Sequence, residues 1–203
     1  MELVLDLKKD FNDESFAELY IKRHKKILRK LGLFYAKKLK NSGFCEGKII
    51  DVGCGSGTMC LALAEEIPGC EVVGVDLSKP LLNYASESVF KKSIKNRVKF
   101  ERVNVEKMPF QNDSFDVVFN VNMVHWVSDP ISMLSEIERI LKPDGNLFIK
   151  DLKYSWLRML ESEIGKAFTL AQAKSLISDS KLREGSFSES LLWWNFEACG
   201  AIC

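Results

Sequence analysis

Apolar positions along the chain recur first at helical spacing and then in short runs. Residues 13–40 carry apolar side chains three and four positions apart, which predicts a long amphipathic helix that ends near Asn41-Ser-Gly43. Gly32 lies inside this pattern, and we expect it to break or bend the helix. From Lys48 onward the pattern changes to β-type runs separated by helical segments. The predicted strands are 48–52, 71–75, 98–103, 115–119 and 146–150.

Three helices are predicted between these strands, at 58–67, 80–92 and 131–141, and a turn at Lys142-Pro-Asp-Gly145 is expected to close the last one. Alternating strands and helices indicate an α/β fold, doubly wound and Rossmann-like, with a mostly parallel sheet and helices on both faces. The strands are apolar nearly throughout, as expected when both faces of the sheet are covered. In such sheets, ligands bind beyond the carboxyl ends of the strands.

The last fifty residues have a looser pattern. We expect helices over 155–168 and 169–178, the second with Thr169 as its N-cap, and one or two closing strands within 186–199, including an antiparallel one. No linker or repeat divides the 203 residues. We therefore predict one domain, with a helical cap at 1–44, a ligand-binding core at 45–151 and extra helices and strands at 152–203.

Composition narrows the class of protein only slightly. Lys plus Arg number 29 and Asp plus Glu 28, so net charge gives no argument for a nucleic acid or membrane partner. A cluster of Lys and Arg between Lys22 and Lys40 is interpreted as a solvated helix face, with an anion- or RNA-facing patch as the alternative. The six cysteines form no CxxC pair, and no secretory signal or membrane span is found. We expect free thiols, no metal site, no membrane insertion and a cytoplasmic location.

The strongest local signal is the run Asp51-Val-Gly53-Cys-Gly55-Ser-Gly57, between a predicted strand and a predicted helix. Glycines allow a sharp turn and the close approach of a ligand, and the free N–H groups of the next helix favour an anion. Asp76 follows the second strand, about twenty residues later, where an acid can bind both hydroxyls of a ribose. A nicotinamide-binding loop would need its third glycine at position 58, which is Thr58.

With these features the sequence resembles the class I S-adenosylmethionine (SAM)-dependent methyltransferases. The resemblance extends over about residues 45–151. Within the family, the sequence is similar to the small-molecule branch that includes ubiquinone and menaquinone methyltransferases. The motifs that carry it are Ile50-Asp-Val-Gly-Cys-Gly-Ser-Gly57, Val73-Gly-Val-Asp-Leu-Ser78, Asn104-Val-Glu-Lys-Met-Pro-Phe110, Phe115-Asp-Val-Val-Phe119 and Arg139-Ile-Leu-Lys-Pro-Asp-Gly145.

The resemblance implies a role for each matching position. Asp51 and the glycine loop, with Gly53, Cys54, Gly55 and Gly57, would hold the amino acid portion of SAM. Asp76 would bind the ribose hydroxyls, and Leu77 would pack on the adenine. Asn104 and Val105 would meet the adenine edge, although the family usually has Asp at position 104. Asn120 would lie beside the sulfonium.

Methyl transfer from a sulfonium needs mainly alignment in a dry pocket, so no catalytic triad is required. His125, just beyond the fourth strand, is the candidate general base if the acceptor must lose a proton. Tyr20, Trp126 and Trp156 are candidate walls of an acceptor pocket.

The function predicted from the sequence is methyl transfer from SAM to an unidentified small-molecule acceptor. Three alternatives stay open: an RNA or protein acceptor, a SAM-binding protein without turnover, and a nicotinamide oxidoreductase. The predicted partner is the small acceptor alone, and nothing in the sequence indicates an oligomeric state.

Overall fold

The computed structural model describes residues 10–90, 92–154 and 165–200. Its helices and strands alternate through the first two thirds of the chain. The helices are α1 (Glu14–Asn41), α2 (Thr58–Glu66), α3 (Lys79–Phe90), α4 (Pro130–Ile140) and α5 (Leu170–Asp179), with a short 3₁₀ helix at Val124–Trp126. The strands are β1 (Glu46–Val52), β2 (Gly69–Asp76), β3 (Val98–Arg102), β4 (Phe115–Val121), β5 (Leu141–Leu152), β6 (Ser186–Glu189) and β7 (Trp193–Ala198).

These strands form one seven-stranded sheet in the order β3-β2-β1-β4-β5-β7-β6. The five strands from β3 to β5 are parallel, and β7 pairs antiparallel with both β5 and β6. The predicted α/β fold and its antiparallel C-terminal portion are confirmed. The order reverses between β1 and β4, so the crevice for a ligand is expected where these two strands end.

Helices cover both faces of the sheet and bury its apolar side chains in two layers. One layer contains Leu39 of α1, Leu63 of α2 and Leu82 of α3. The opposite layer contains Leu134 of α4 and Ile177 of α5. Because both faces are covered, the central strands are apolar on both sides.

Helix α1 is continuous, and the expected break at Gly32 is wrong. The Asp13 side chain caps the helix by accepting from the Phe16 N–H at 2.8 Å. Gly32 is instead buried where α1 crosses α2, and a Cβ built there would lie 2.7 Å from the Cβ of Ala62. The glycine is therefore explained by close helix packing.

Residues 142–145 also differ from the sequence prediction. Leu141 already pairs with Phe115, and the ladder resumes with Asn146 opposite Val117, so the residues between them form a bulge at the start of β5. The expected turn therefore lies within a strand. At the C-terminal end, Thr169 caps α5 in a capping box with Gln172, as predicted. Most of the helix predicted at 155–168, including Trp156, lies outside the described residues.

The cysteines follow the prediction only in part. Cys45, Cys54, Cys60 and Cys70 are free thiols, whereas Cys199 is disulfide-bonded. The expectation of free thiols throughout is therefore wrong at position 199. Among the described residues, no helix combines the length and apolarity needed to cross a bilayer.

Candidate functional site

A cavity of about 260 Å³ opens where β1, β2 and β4 end. Six of the residues predicted from the sequence line it: Tyr20, Gly53, Gly55, Asp76, Leu77 and Trp126. The remaining lining residues were not predicted: Asp10, Phe11, Asn12, Ser78, Leu81, Asn122 and Met123. The cavity therefore lies at the switch in strand order, where this class of sheet binds ligands.

The glycine loop turns sharply between β1 and α2. The N–H groups of Gly53 and Cys54 both donate to the carbonyl of Val75, at 2.8 and 2.9 Å, which fixes the loop against the end of β2. Gly55 has φ +52° and faces the cavity, and the nearest atom to a Cβ built there is 3.7 Å away, on Tyr20. The bare backbone at this position leaves room for a ligand.

Helix α2 begins at this loop without a side-chain cap. Its N-cap is Gly57, with φ +66°, which has no side chain to accept from the first-turn N–H groups. A Cβ at Gly57 would lie 2.4 Å from the Phe100 ring, so the position also requires close packing. Uncapped N–H groups and the positive end of the helix dipole favour a carboxylate or phosphate here.

Asp76 ends β2 and points its carboxylate along the cavity wall. Its Oδ2 accepts from the Gly55 N–H at 2.8 Å and its Oδ1 from the Ser78 N–H at 2.9 Å. Burial raises the pKa of this carboxyl, and the backbone donors oppose the rise. A carboxylate has about four acceptor positions, so both oxygens can still accept from ligand hydroxyls.

Asp51 is buried near the end of β1, behind the glycine loop. The Cys60 Sγ donates to its Oδ2 at 3.4 Å, and its Oδ1 has no partner within the described part of the chain. Burial is the main cause that raises the pKa of Asp51 from 3.8 to about 7, and the charge of Asp76 adds to it. A buried carboxylate oxygen without a donor is costly, so this position favours a cationic group nearby.

The residues predicted to meet an adenine edge are not among those lining the cavity. Asn104 is exposed, and its Oδ1 accepts from the Glu106 N–H at 3.0 Å. Val105 is buried in the core. The segment nevertheless lies beside the end of β2, because the Val103 N–H donates to the Asp76 carbonyl at 3.1 Å.

Two asparagines occupy the end of β4. Asn120 lies inside the strand rather than after it, fully buried, and its Nδ2 donates to the Val52 carbonyl at 2.9 Å. Asn122 follows the strand, lines the cavity and has φ +56°. The Asn122 Oδ1 is buried, and no hydrogen-bond partner for it lies among the described residues. Sequence analysis missed Asn122, although it follows the fourth strand, at the edge of the sheet where ligands are expected to bind.

His125 lies in the 3₁₀ helix after β4, with its ring fully buried. Its Nδ1 is 2.5 Å from Oδ1 of Asp151, which follows Lys150 near the end of β5, and its backbone N–H donates to Oδ2 of the same carboxylate at 3.1 Å. The ring Nε2 has no partner within the described residues. Since a carboxylate accepts from Nδ1–H, the pairing favours the tautomer whose Nε2 can accept a proton.

An aromatic cluster covers the outer side of the cavity. The Phe11 ring contacts Tyr20 and Trp126 edge-to-face, with centroids 5.3 and 5.1 Å apart. The Ser78 hydroxyl donates to the Phe11 carbonyl at 2.5 Å, which holds the segment before α1 over the site. The Lys166 Nζ lies 4.7 Å from the Trp126 ring centroid. His24, in contrast, stacks on Tyr20 within α1.

Comparison with known proteins finds similarity to methyltransferases. Residues 50–149 match the family model described as a methyltransferase domain. An uncharacterized methyltransferase of Schizosaccharomyces pombe is 31% identical over 144 residues, which cover 68% of this chain and 49% of that protein. A demethylmenaquinone methyltransferase of Lactiplantibacillus plantarum is 37% identical over 101 residues, or 49% of this chain and 42% of the relative.

The fold has solved counterparts as well. The crystal structure of a SAM-dependent methyltransferase from Aquifex aeolicus has a TM-score of 0.74 and 25% sequence identity, with 91% of this chain and 97% of that chain covered. The chain spans about half the length of the curated relatives that it matches.

Proposed function

We propose that this chain, which belongs to the class I SAM-dependent methyltransferases, transfers the methyl group of SAM to a small-molecule acceptor. The observation that carries the proposal is the juxtaposition of Gly55 and Asp76, which are hydrogen-bonded to each other and line one cavity. Residues 45–151 would form the cofactor-binding core, and the segments on either side would shape the acceptor side.

The residues present fit the methionine end, the ribose and one face of the adenine of SAM. The uncapped start of α2 at Gly57 offers N–H groups for the carboxylate of the methionine portion. The Oδ1 of Asp51, which has no partner among the described residues, would accept from its ammonium directly or through water. Asp76 would accept from the ribose hydroxyls, and half-exposed Leu77 would pack on the adenine.

The remaining cofactor residues would contact SAM through backbone groups or would support the residues that contact it. Gly53 and Cys54 would shape the loop, because both are tied to Val75. Asn104 and Val105 would approach the adenine edge through backbone groups, since the Asn104 side chain accepts from Glu106 and the Val105 side chain is in the core. Asn120 would support the end of β4 beside the sulfonium.

When bound, SAM supplies a methyl group on a good leaving group. The protein then has to align the acceptor and keep water out, and proximity of this kind can supply about 7–11 kcal/mol of the barrier. Tyr20 and Trp126 would exclude water at the outer wall, with Phe11 packed between them. Trp156 is retained as a candidate wall residue on sequence grounds.

His125 would receive a proton at Nε2 when the acceptor must lose one. Asp151 would hold the ring and stabilise the charged imidazolium. His125 is buried and is not among the residues that line the cavity, so this role requires that an acceptor bound in the cavity reach its ring.

The small-molecule acceptor is supported by the relative that methylates demethylmenaquinone. The free thiols of Cys45, Cys54, Cys60 and Cys70 favour a cytoplasmic location, whereas the disulfide at Cys199 argues against it. Against an RNA-facing role, three basic side chains of the Lys22–Lys40 cluster pair with carboxylates of other elements: Arg29 with Glu65, Lys38 with Glu197 and Lys40 with Glu66.

Isothermal titration calorimetry with SAM and with S-adenosylhomocysteine tests the cofactor site. Asp76→Ala removes the acceptor for two hydroxyls, and at about 1.5–3 kcal/mol per hydrogen bond to a charged group, the affinity should fall about 100-fold or more. Asp179→Ala, at an exposed carboxylate on α5, is the matched control and should bind as the wild type does. Undiminished affinity in Asp76→Ala would refute the assignment.

Turnover requires a separate experiment. The purified protein is incubated with methyl-labelled SAM and a small-molecule extract, and in parallel with protein and RNA fractions. Label in a low-molecular-weight product supports the proposal. Label confined to RNA or protein would assign a macromolecular acceptor, and tight SAM binding without any labelled product would indicate a binding protein.

A further inference from the structure

Helix α1 presents one side of its length to solvent, and large apolar side chains lie on that side. Leu19, Ile27, Leu33 and Phe34 are 52%, 53%, 36% and 59% exposed. They recur at helical spacing, so they share one face, which is opposite the side that packs on α2 and the sheet. Four large exposed apolar side chains on one helix face are more than the scattered single residues usual on a surface, which makes this face a candidate interaction surface.

Basic side chains are interleaved with these apolar ones. Lys22, Arg23, Lys26, Lys30 and Lys37 are exposed on the same face. We call this set, with the four apolar residues, the outer face of α1. The two carboxylates of the helix, Glu14 and Glu18, both lie in its first five residues, so the rest of the face carries positive charge alone.

The lysines of the outer face differ from the basic residues at its margins. Arg29, Lys38 and Lys40 each pair with a carboxylate from another element. In contrast, Lys22, Lys26, Lys30 and Lys37 form no ion pair with any residue that the structure describes. The fold pairs the charges at the margins, whereas these four lysines have no carboxylate partner among the described residues and could bind an external anion.

We propose that the outer face of α1 docks on an anionic lipid surface, with the helix lying along it. Lipid phosphates would attract the lysines, and the apolar side chains would enter the boundary between headgroups and acyl chains. A helix of 28 residues is about 42 Å long, which allows several headgroups to be contacted at once. Docking of this kind needs no membrane-spanning helix.

RNA offers the same negative charge but fits the apolar residues less well. Proteins bind single-stranded RNA by stacking bases on aromatic rings. Phe34 could serve in this way, but the aliphatic Leu19, Ile27 and Leu33 would gain no equivalent contact. A lipid surface accommodates both kinds of side chain, so it is the favoured partner.

Helix α1 carries residues of the outer face and also one residue of the cavity wall. Tyr20, which lines the cavity, is the neighbour of Leu19 on the same helix. The docking proposal does not depend on methyl transfer and can be tested without turnover.

Sedimentation with vesicles of phosphatidylcholine, with and without phosphatidylglycerol, measures the proposed docking. The full chain should bind only the vesicles that contain phosphatidylglycerol, and added salt should weaken the binding. Each lysine near an anionic surface contributes about a five-fold factor, so Lys26→Gln with Lys30→Gln should lower partitioning about 25-fold. Lys26→Arg with Lys30→Arg keeps the charge and should bind as the wild type does.

The matched control is Lys99→Gln with Lys181→Gln, which removes the same charge at exposed positions on β3 and after α5. This control should bind within two-fold of the wild type. Ile27→Ser with Phe34→Ser tests the apolar part and should lower partitioning about ten-fold at constant charge. Retained SAM binding in each variant verifies the fold.

Three results would overturn the proposal. The first is no binding of the wild type to vesicles that contain phosphatidylglycerol. The second is an equal loss in the Lys99/Lys181 control, which would make the attraction non-specific. The third is binding to a single-stranded RNA oligonucleotide that depends on Lys26 and Lys30 while Ile27→Ser with Phe34→Ser has no effect on either ligand.

Discussion

Replacing Asp51 by Asn should stabilise the protein at alkaline pH while it weakens SAM binding. Burial raises the pKa of Asp51 from 3.8 to about 7, and its Oδ1 has no partner among the described residues. The folded state holds the Asp51 proton more tightly than the unfolded state does. The protonated Asp51 therefore makes its full contribution to the free energy of unfolding below about pH 4. This contribution declines as pH rises and is lost above about pH 7.

The size of this effect follows from the two pKa values. The difference between 3.8 and about 7, at about 1.36 kcal/mol per pKa unit, corresponds to about 4 kcal/mol. The amide introduced by Asp51→Asn cannot ionise, and it keeps an oxygen that can accept from the Cys60 thiol. In the absence of SAM, the free energy of unfolding of Asp51→Asn should therefore exceed that of the wild type increasingly from pH 4 to pH 7.

Urea unfolding at a series of pH values from 5 to 8.5 measures the difference. Asp116→Asn is the control, because the Asp116 carboxylate is partly exposed, accepts from the Lys48 N–H and pairs with Lys142. Its removal should destabilise the protein without a comparable trend between pH 5 and 7. An Asp51→Asn variant that is less stable than the wild type at pH 8 would refute the reasoning.

The same carboxylate should make SAM binding pH-dependent. If ionised Asp51 accepts from the ammonium of SAM, wild-type affinity should be about ten-fold lower at pH 6 than at pH 8, because a group with a pKa of about 7 is about nine-tenths protonated at pH 6. Asp51→Asn should bind more weakly at pH 8 and lose this dependence. Calorimetry of both proteins at the two pH values checks it.

Three further substitutions have defined outcomes. Gly57→Ala should destabilise the fold by about 2 kcal/mol or more by chemical denaturation, since its Cβ would lie 2.4 Å from Phe100 at a φ of +66°. Thr169→Ala should cost about 1 kcal/mol, because it removes the capping box with Gln172. His125→Ala should lower kcat by about 100-fold or more with SAM affinity unchanged, if the acceptor loses a proton. An unchanged kcat would limit His125 to a structural role.

The core of the fold was predictable because its signals are local. Each β-type run and the helix after it lie within about thirty residues, and a parallel sheet follows from their alternation alone. The glycine loop could be located for the same reason, since Asp51 and Gly57 belong to one strand-turn-helix unit. Prediction failed at Gly32 because this residue packs closely against Ala62, which belongs to a different helix. Helix propensity carries no information on such a contact.

Phe11, which lines the cavity, and Asp151, which pairs with His125, were missed for a different reason. Phe11 precedes α1 and reaches the site only because its carbonyl accepts from Ser78, after β2. Asp151 pairs with His125 only because β4 and β5 are neighbours in the sheet. Neither residue belongs to a motif with a characteristic spacing, so tertiary structure is needed to identify them.

The contrast between local and tertiary signals also distinguishes the cofactor half of the proposed site from its acceptor half. The cofactor half is formed by β1, β2 and the turns that follow them, so its chemistry can be recognised from a few consecutive residues. The proposed acceptor half would be assembled from cavity residues of the segment before α1, of α1 at Tyr20 and of the region after β4, which are distant in sequence. Acceptor specificity should therefore respond to substitutions at Phe11, Asn122 and Trp126 that leave Asp76 and the glycine loop intact. If such variants changed SAM affinity as much as acceptor turnover, the two halves would not be separable.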